Sequence, residues 1–379
     1  MNPSHTAAAP DTSQQKRIIF ITEIDELGGA ERSCLALAHW LHTRGLPSCF
    51  LCYRNEANIA QYASFPLNVV ALNPAMTVVG KVTALRRYMH SGPQKTFRPL
   101  ASGYQPALHT TLAGVSGFHT LMHDTPKLFS DGAAQHKIKH RLRRSASNWI
   151  VGRGLRSGGQ TIVTSEFLQR DCLEMFGVHA VIARMGGLGM ASSFRPRPVG
   201  SRLSLLSVSR IEANKRIDWI LRALAAMEHG GSRLSDRVDW QFDVAGKGSQ
   251  LEQMKQLASS LDIAARVHFH GFVSDEQLAA LYERAHLFLM PAVQGYGIPA
   301  IESISRGIPV LLHRDSGVSD ILLDTPWATV IAGDEESLLP GLFTAIDSVL
   351  AGVPQATTSP ALPTEDSWAE QVATLCGWV

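Results

Sequence analysis

Short apolar runs alternate with amphipathic stretches along most of the chain. The run "RIIFITEI" is almost wholly apolar and is bounded by polar residues, which is typical of a buried parallel strand. The apolar residues of the next stretch fall on one helical face, namely Cys34, Leu37, Ala38 and Leu41. A glycine and a proline end that stretch, so the pattern predicts a strand followed by a helix.

The same alternation returns after residue 200. Six further strands are predicted at "RLSLLSVSR", "WQFDVAG", "RVHFHG", "HLFLMPA", "PVLL" and "ATVIAG". Between the first two, an apolar helical stripe is formed by Ile217, Ile220, Leu221 and Leu224. Six strand–helix units with right-handed crossovers make a doubly wound parallel sheet. The chain is therefore predicted to be an α/β protein with two such domains facing a cleft.

The domain boundaries follow from changes in composition. Residues 1–16 lack apolar periodicity and are predicted to be a disordered tail. The Pro- and Arg-rich stretch from Phe194 to Arg202 is the best linker candidate. It separates an N-terminal domain, residues 17–198, from a C-terminal domain, residues 199–355.

Composition and charge narrow the class of protein. The 379 residues are 45% hydrophobic and 18% charged, as in globular proteins, and no apolar run is long enough to predict a spanning helix. Residues 1–198 hold 22 Lys+Arg and 11 Asp+Glu, a formal charge of +11, whereas the remainder holds 13 and 22, a charge of −9. This asymmetry indicates that the two domains meet different partners.

The five cysteines are scattered, and no secretory signal pattern precedes them. We therefore expect reduced thiols and a cytoplasmic protein. Cys49 and Cys52 form a CxxC, but they lie in the apolar stretch "PSCFLCY" without a second cysteine pair. They are predicted to be thiols of a strand core rather than a zinc or redox site.

Candidate binding residues lie where predicted strands end, since ligands of such folds bind there against helix N-termini. Gly28 and Gly29, in "ELGGAER", would let the backbone approach a phosphate, although a plain tight turn explains them equally well. Arg210 and Lys215, in "SRIEANKR", suit a diphosphate. Taken alone, these two cations would be a solvated pair.

Two later strand ends carry glycines. Gly246 lies in "AGKGSQ" after the second strand of the C-terminal half. The loop "PAVQGYGIPAIESISRG" passes through Gly295 and Gly297 into a helix that carries Glu302. A carboxylate at that position could accept hydrogen bonds from the vicinal hydroxyls of a ribose.

In this order the motifs resemble glycosyltransferase family 4, the retaining nucleotide-sugar enzymes of the GT-B fold. The resemblance covers nearly all of residues 17–350 and is strongest from "LLSVSRIEANKRIDWIL" to "RGIPVLLHRDSGVSDIL". It is thinner in "GGAER", "MHDTP", "TIVTSEFLQRDCLEMFGV" and "RMGGLGMASSFRP". It implies two Rossmann-like domains, an N-terminal one for the acceptor and a C-terminal one for the donor. It also implies that a helix in residues 362–379 packs back on the N-terminal domain.

The resemblance assigns roles to residues of the C-terminal half. Arg210 and Lys215 would hold the donor diphosphate and neutralise the leaving group, and Glu302 would bind the ribose. The loop around the donor sugar would be formed by Gln294, Gly295, Tyr296 and Gly297. The mechanism implied is front-face substitution, in which the acceptor hydroxyl attacks from the side that the diphosphate leaves.

Other residues are implied at the edges of the site. His123, in "MHDTP", matches a histidine beside the donor sugar, although it could also be a buried core histidine. Phe272 and Val273 match the place where backbone groups meet the base. Members of the family generally use no essential metal or other cofactor.

The sequence departs from the family at Gln294, where the first acid of a Glu-x7-Glu pattern is expected. Glutamine keeps the length but loses a charge-assisted hydrogen bond, a difference of roughly 1 kcal/mol or about tenfold in rate. The amide is expected to retune the sugar preference, for example towards a substituent that is an acceptor or a carboxylate. Two further departures are "MGGLG" in place of an Asn-Gly turn and a stretch before "FHTLMHDTP" that is short for the expected helix.

A basic stretch, "HKIKHRLRRSASNWIVGRGLR", lies in the N-terminal half. Its cations at helical spacing, next to Trp149, suit an anionic membrane surface, and they are Lys137, Arg141, Arg143 and Arg144. A solvated helix face is the alternative. No nucleic-acid module is recognised, so nucleic acid is not an expected partner.

Two functional hypotheses result. The first is a hexosyltransferase that moves a sugar from a nucleotide-diphosphate sugar to a glycan or lipid-linked acceptor in cell-envelope or exopolysaccharide biosynthesis, cytoplasmic and peripheral on the inner face of the membrane. The second is a degenerate GT-B protein that binds nucleotide or glycan without turnover. A GT-B-like nucleotide-sugar epimerase is a further alternative, but it should lack the Arg-x4-Lys and glycine-loop pattern in this form.

Overall fold

Two parallel β-sheets, each flanked by helices, make up the computed structural model of the protein. The structure describes residues 17–125, 138–187, 194–230 and 233–379. The predicted tail, residues 1–16, lies outside the described residues.

The N-terminal sheet has seven strands in the order β3-β2-β1-β4-β5-β6-β7. Its strands are β1 (Arg17–Phe20), β2 (Ser48–Cys52), β3 (Asn68–Ala71), β4 (Leu100–Ser102), β5 (His119–Met122), β6 (Thr161–Val163) and β7 (Val181–Ile182). Its helices are α1 (Gly29–Thr43), α2 (Val78–Met89), α3 (Tyr104–Leu112), α4 (Ile138–Leu155) and α5 (Glu166–Phe176). The strand order reverses between β1 and β4, which places a crevice at the carboxyl ends of these strands.

The first helix forms as its periodicity predicts. The side chains of Cys34, Leu37 and Leu41 are fully buried against the sheet. The helix ends at Thr43, and Gly45 follows at φ +67°, a left-handed conformation that glycine adopts without strain. Cys49 and Cys52 are free, buried thiols of β2, and burial raises the pKa of Cys49 to about 12 and of Cys52 to about 11. The prediction of core thiols is confirmed.

The expectation of a truncated crossover before "FHTLMHDTP" is wrong. Helix α3 runs from Tyr104 to Leu112 and connects β4 to β5. The segment "ALHTTL", which was expected to precede a helix, forms residues 107–112 of α3. It begins directly after Gly103, whose φ of +107° allows the chain to turn abruptly from the strand.

The C-terminal sheet has six strands in the order β10-β9-β8-β11-β12-β13, all paired in parallel. They are β8 (Arg202–Val208), β9 (Asp239–Ala245), β10 (Val267–Gly271), β11 (Leu287–Met290), β12 (Val310–His313) and β13 (Ala328–Ile331). The helices are α6 (Ile217–His229), α7 (Leu234–Arg237), α8 (Leu251–Ser260), α9 (Asp275–Arg284), α10 (Ile298–Ser305), α11 (Ser319–Leu322) and α12 (Glu335–Leu350). All six predicted strands are present, and a second crevice lies between β8 and β11.

A last helix, α13 (Glu365–Leu375), returns to the N-terminal half and packs against α1. Trp368 and Val372 of this helix are fully buried. Beyond it, the Arg17 guanidinium donates to the carbonyl of Trp378 at 2.9 Å, so the ends of the described chain meet. Within the described ranges, no helix is both long and apolar enough to cross a bilayer.

Candidate active site

A cavity of about 670 Å³ lies between the two sheets, with residues of both on its walls. The N-terminal wall includes Gly29, Arg32, Ser33, His123 and Asp124. The C-terminal wall includes Asp275, Tyr282, Glu302 and Arg306, together with the unbroken run from Gln294 to Pro299.

The C-terminal wall is formed by the loop after β11 and by the start of α10. Gly297 immediately precedes this helix at φ +111°, and a Cβ there would lie 2.7 Å from the Met290 Cε. The next strand end anchors the loop, since the Gly317 N–H donates to the Gln294 carbonyl at 3.1 Å. Only glycine satisfies both the backbone conformation and the close packing at residue 297.

The cation predicted to hold phosphate reaches this loop directly. The Lys215 Nζ donates to the Gln294 Oε1 at 2.7 Å, across the turn that precedes α6. Burial lowers the pKa of Lys215, and the carboxylate of Asp124 opposes that shift. Arg210 is exposed, but its charge acts on the same carboxylate. Lys215 therefore contacts Gln294, and both predicted cations act on the charge of Asp124.

Glu302 points into the cavity from α10. Its Oε2 accepts from the Tyr282 hydroxyl at 2.9 Å, and its carbonyl accepts from Arg306 at 2.8 Å. Burial raises the pKa of the Glu302 carboxyl, against the opposing effects of Tyr282 and Arg306. The group is a partly buried acceptor that suits the hydroxyls of a ligand.

On the opposite wall, His123 follows β5 and is held by a chain of hydrogen bonds. The Cys34 thiol donates to the Ser102 Oγ at 3.2 Å, and Ser102 lies 3.0 Å from the His123 Nε2. Burial raises the pKa of Cys34 to about 12, so the thiol keeps its proton, and burial lowers the pKa of His123 to about 4. Ser102 can accept from the thiol while donating to Nε2 when the neutral imidazole carries its proton on Nδ1.

Asp124 was missed by the sequence interpretation. The Gly295 N–H donates to its carboxylate, and a Cβ on Gly295 would lie 2.6 Å from the Asp124 Oδ1 and 1.9 Å from the His123 carbonyl. Burial raises the pKa of Asp124 to about 6, although Lys215 and Arg210 both act to lower it. A carboxylate that follows β5 of the N-terminal sheet therefore meets the loop after β11 of the C-terminal sheet.

Direct contacts hold the two walls together. The Ser165 Oγ donates to the Gly295 carbonyl at 2.9 Å, and the Glu166 N–H donates to the Asp320 Oδ2 at 3.0 Å. The Tyr296 hydroxyl donates to the Met185 carbonyl. The loop from Gln294 to Gly297 is thus fixed from both sides.

Six predicted site residues lie outside the cavity lining. Two of them are Arg210 and Lys215, and Lys215 reaches the lining through its bond to Gln294. Gly28 caps α1, and its N–H donates to the Glu31 Oε2 at 3.0 Å. Gly246 has φ +140°, and a Cβ there would overlap the Ser209 carbonyl at 1.8 Å, so it permits a close approach of two strand ends. Phe272 is 74% exposed with the Lys247 Nζ 5.0 Å from its ring centre, and Val273 packs on the core.

Among the polar residues that were not predicted, Asp124, Ser102 and Tyr282 make the hydrogen bonds described above. Asp124 had a local signal, because it follows His123 in "MHDTP" at a strand end. Ser102 lies at the end of β4, the strand beside β1, but no motif marks it. Tyr282 is one of many polar residues of α9, and only the fold shows that it contacts Glu302.

Comparison with known proteins relates the C-terminal half to a protein family by sequence. Residues 192–338 match the family model described as "Glycosyl transferases group 1". A GDP-mannose-dependent alpha-(1-6)-phosphatidylinositol monomannoside mannosyltransferase of Mycolicibacterium smegmatis is 29% identical over 161 residues. That alignment spans 40% of this chain and 40% of the relative.

Solved structures extend the likeness to the whole fold. WaaG, a glycosyltransferase involved in lipopolysaccharide biosynthesis, superposes with a TM-score of 0.71 at 17% identity, covering 95% of this chain and 99% of its own. Anabaena Alr3699/HepE in complex with UDP superposes with a TM-score of 0.69 at 15% identity, covering 96% and 100%. The protein therefore has a GT-B fold, and its residues 192–338 are similar to the group 1 glycosyl transferases.

Proposed function

We propose that the protein is a retaining glycosyltransferase that moves a sugar from a nucleotide-diphosphate sugar to a glycan or lipid-linked acceptor in cell-envelope or exopolysaccharide biosynthesis. The observation that carries the proposal is the convergence of Gln294, Glu302 and His123 on one cavity between two sheets, with Lys215 bonded to Gln294. The catalytic step needs a cation for the leaving phosphate and hydroxyl-binding groups for the sugar and the ribose. These residues supply both.

The proposed chemistry follows from where charge develops. As the anomeric bond breaks, negative charge grows on the departing phosphate, and Lys215 and Arg210 would stabilise it in a site shielded from water. The neutral His123 would donate from Nδ1 to an oxygen of the donor sugar without adding a competing positive charge. Attack by the acceptor from the face that the diphosphate leaves would retain the configuration at the anomeric carbon.

Isothermal calorimetry with UDP and GDP tests nucleotide binding. We expect one of them to bind, and we expect Lys215→Ala and Arg210→Ala each to weaken binding by about 10- to 100-fold, since a charge-assisted bond contributes about 1.5–3 kcal/mol. Lys255→Ala, on the exposed face of α8, is the matched control and should bind as the natural chain does. Unchanged affinity in both site variants would contradict the proposal.

We also propose that α4 brings the protein to an anionic membrane surface, peripherally and on the cytoplasmic side. Leu142 and Trp149 lie seven residues apart on one face of the helix and are 66% and 64% exposed. Arg143 and Arg153 are exposed beside them. Tryptophan favours the interface and arginine favours anionic headgroups. Lys137 and the side chain of Arg141 lie outside the described residues.

Sedimentation with vesicles that contain phosphatidylglycerol tests the membrane proposal. Binding should weaken as salt rises and should fall severalfold in Arg143→Ala/Trp149→Ala. Arg202→Ala, on an exposed residue of the other sheet, is the control. Sedimentation that is indifferent to salt and to both substitutions would rule the surface out.

The second hypothesis, nucleotide binding without turnover, is favoured by Gln294 alone. Donor hydrolysis or transfer to extracted lipid or glycan acceptors distinguishes the two. Nucleotide binding with no turnover of any donor would replace the transferase by a binding protein.

A further inference from the structure

We infer that Asp124 supplies, from the N-terminal sheet, the carboxylate that Gln294 cannot provide, and that the resulting sugar pocket selects a neutral hexose over a hexuronate. This inference rests on the proposed function, because it concerns the sugar of the same donor. The juxtaposition of Asp124 with the Gln294–Gly295 peptide carries it.

The geometry fixes Asp124 beside the sugar loop. Its carboxylate accepts from the Gly295 N–H, and Gly295 follows directly after Gln294. Both Asp124 and Gln294 line the cavity. Residue 295 has no room for a side chain, since a Cβ there would lie 1.9 Å from the His123 carbonyl oxygen. The backbone of Gly295 therefore lies directly against Asp124.

The charges around this point favour an ionised Asp124. Lys215 donates to the neutral amide oxygen of Gln294, and no carboxylate of that loop neutralises its charge. The cations that act on Asp124 are Lys215 and Arg210, and the adjacent His123 stays neutral. At pH 7.5 the pKa of about 6 leaves most Asp124 side chains ionised. Beside Gln294 the carboxylate is thus supplied by the opposite wall, while Glu302 and Asp275 line the cavity on the C-terminal wall.

This placement has a consequence for the donor sugar. Hydroxyls of a neutral hexose can donate to Asp124 while accepting from the Gln294 amide. A hexuronate would bring a second carboxylate towards Asp124, and like charges at close range in a partly buried site weaken binding. The expectation from the sequence that the amide favours a carboxylate-bearing sugar is therefore replaced by the opposite preference.

Calorimetry with matched donors tests the inference on the full chain. The probes are UDP-glucose against UDP-glucuronate and GDP-mannose against GDP-mannuronate, at pH 7.5 and low salt. For the nucleotide that binds, we expect the hexose donor to bind about tenfold more tightly than the hexuronate donor. In Asp124→Asn, which keeps the size and removes the charge, the ratio should fall below about threefold.

Two further variants sharpen the result. The exchange Asp124→Asn/Gln294→Glu moves the carboxylate back to the loop and should restore the preference for the hexose. Asp347→Asn changes the net charge equally but lies on the exposed side of α12, and it should leave the ratio unchanged.

The outcomes separate this inference from the proposed function. If neither UDP nor GDP binds, the proposed function fails and the inference fails with it. If a nucleotide binds but the natural chain prefers the hexuronate, or if Asp124→Asn leaves the ratio within twofold of the natural value, the proposed function stands and the inference is overturned. A failure of the exchange variant to restore the preference would also overturn it.

Discussion

The two walls of the cavity are built in different ways. The C-terminal wall takes Gln294, Gly297 and Glu302 from one continuous loop and helix. The N-terminal wall takes Gly29 from the start of α1 and His123 from the residue after β5, and Ser102 at the end of β4 contacts His123. Site residues that come from one segment have a spacing that can be recognised in the sequence. Site residues that the sheet brings together can be recognised only in the folded structure.

The walls also differ in their electrostatics. Lys215 of the C-terminal half donates to Gln294, a neutral amide of the loop, while the carboxyl groups of Glu302 and Asp275 line the same wall. The N-terminal wall presents a neutral imidazole, the carboxyl group of Asp124 and the guanidinium of Arg32. The carboxylate next to Gln294 therefore comes from the opposite wall, and each wall is incomplete without its partner.

The largest effect is expected where the walls touch. In Gly295→Ala, the new Cβ would overlap the backbone carbonyl of His123 and the carboxylate of Asp124, which have little room to move. We expect the free energy of unfolding to fall by about 3 kcal/mol and nucleotide binding to weaken at least about tenfold. Urea unfolding and calorimetry measure these, and Gly200→Ala, with nothing within 4 Å of its Cβ, is the control. A Gly295→Ala protein with natural stability would show that the walls are not in contact in solution.

The next effect concerns pH and the charge on the N-terminal wall. The pKa of Asp124 is raised to about 6, so its contribution to stability is complete below about pH 4 and is lost as the pH rises through 6. The loss is about 2 to 3 kcal/mol. Asp124→Asn should therefore match the natural chain near pH 4 and exceed it in unfolding free energy at pH 7.5.

Urea unfolding of both proteins from pH 4.5 to 7.5 checks this pH dependence. Taking the difference between the two cancels groups that titrate equally in both. Lys215, Arg210 and His123 remain in each protein as the charged and titratable neighbours. A difference that is constant with pH would mean that Asp124 has an ordinary pKa.

The smallest effect is expected from a change in how His123 is oriented on the N-terminal wall. Ser102→Ala removes the acceptor of the Cys34 thiol and the donor to the His123 Nε2. The imidazole then loses its fixed tautomer, and we expect kcat to fall about tenfold with little change in KM. Cys34→Ala keeps the Ser102–His123 bond and should reduce kcat less. Equal loss in the two variants, or a loss confined to KM, would contradict an orienting role for Ser102.

The two sheets also differ in how far their elements could be predicted from the sequence. All six strands of the C-terminal sheet were predicted, because each is a short apolar run between glycines or polar residues. The capping box that begins α9 has a similarly local signal, because Ser274 lies three residues before Gln277 and its Oγ accepts from the Gln277 N–H at 3.3 Å. In the N-terminal sheet, helix α3 was misjudged because "YQPALHTTL" has two threonines, a histidine and a proline, and its helical state depends on packing.

The site was predictable to a similar extent. Lys215, Gln294 and Glu302 were predicted, since strand ends and glycine loops mark them, and their roles remain predictions. Asp124 and Tyr282 could not be chosen from many other polar residues, because their significance arises from Gly295 and Glu302 in the other part of the fold. Gly246 was assigned to the donor, but the overlap that a Cβ would make with the Ser209 carbonyl gives that glycine a structural reason as well.

The return of α13 to α1 affects how the protein folds. Arg17 and Trp378 are 361 residues apart along the chain, and closing so long a loop comes late in folding. Until α13 leaves the ribosome, the apolar face of α1 that will receive Trp368 stays exposed, which favours aggregation or chaperone binding. The N-terminal sheet is synthesised early, yet its outer layer is completed only after the whole C-terminal sheet has been synthesised.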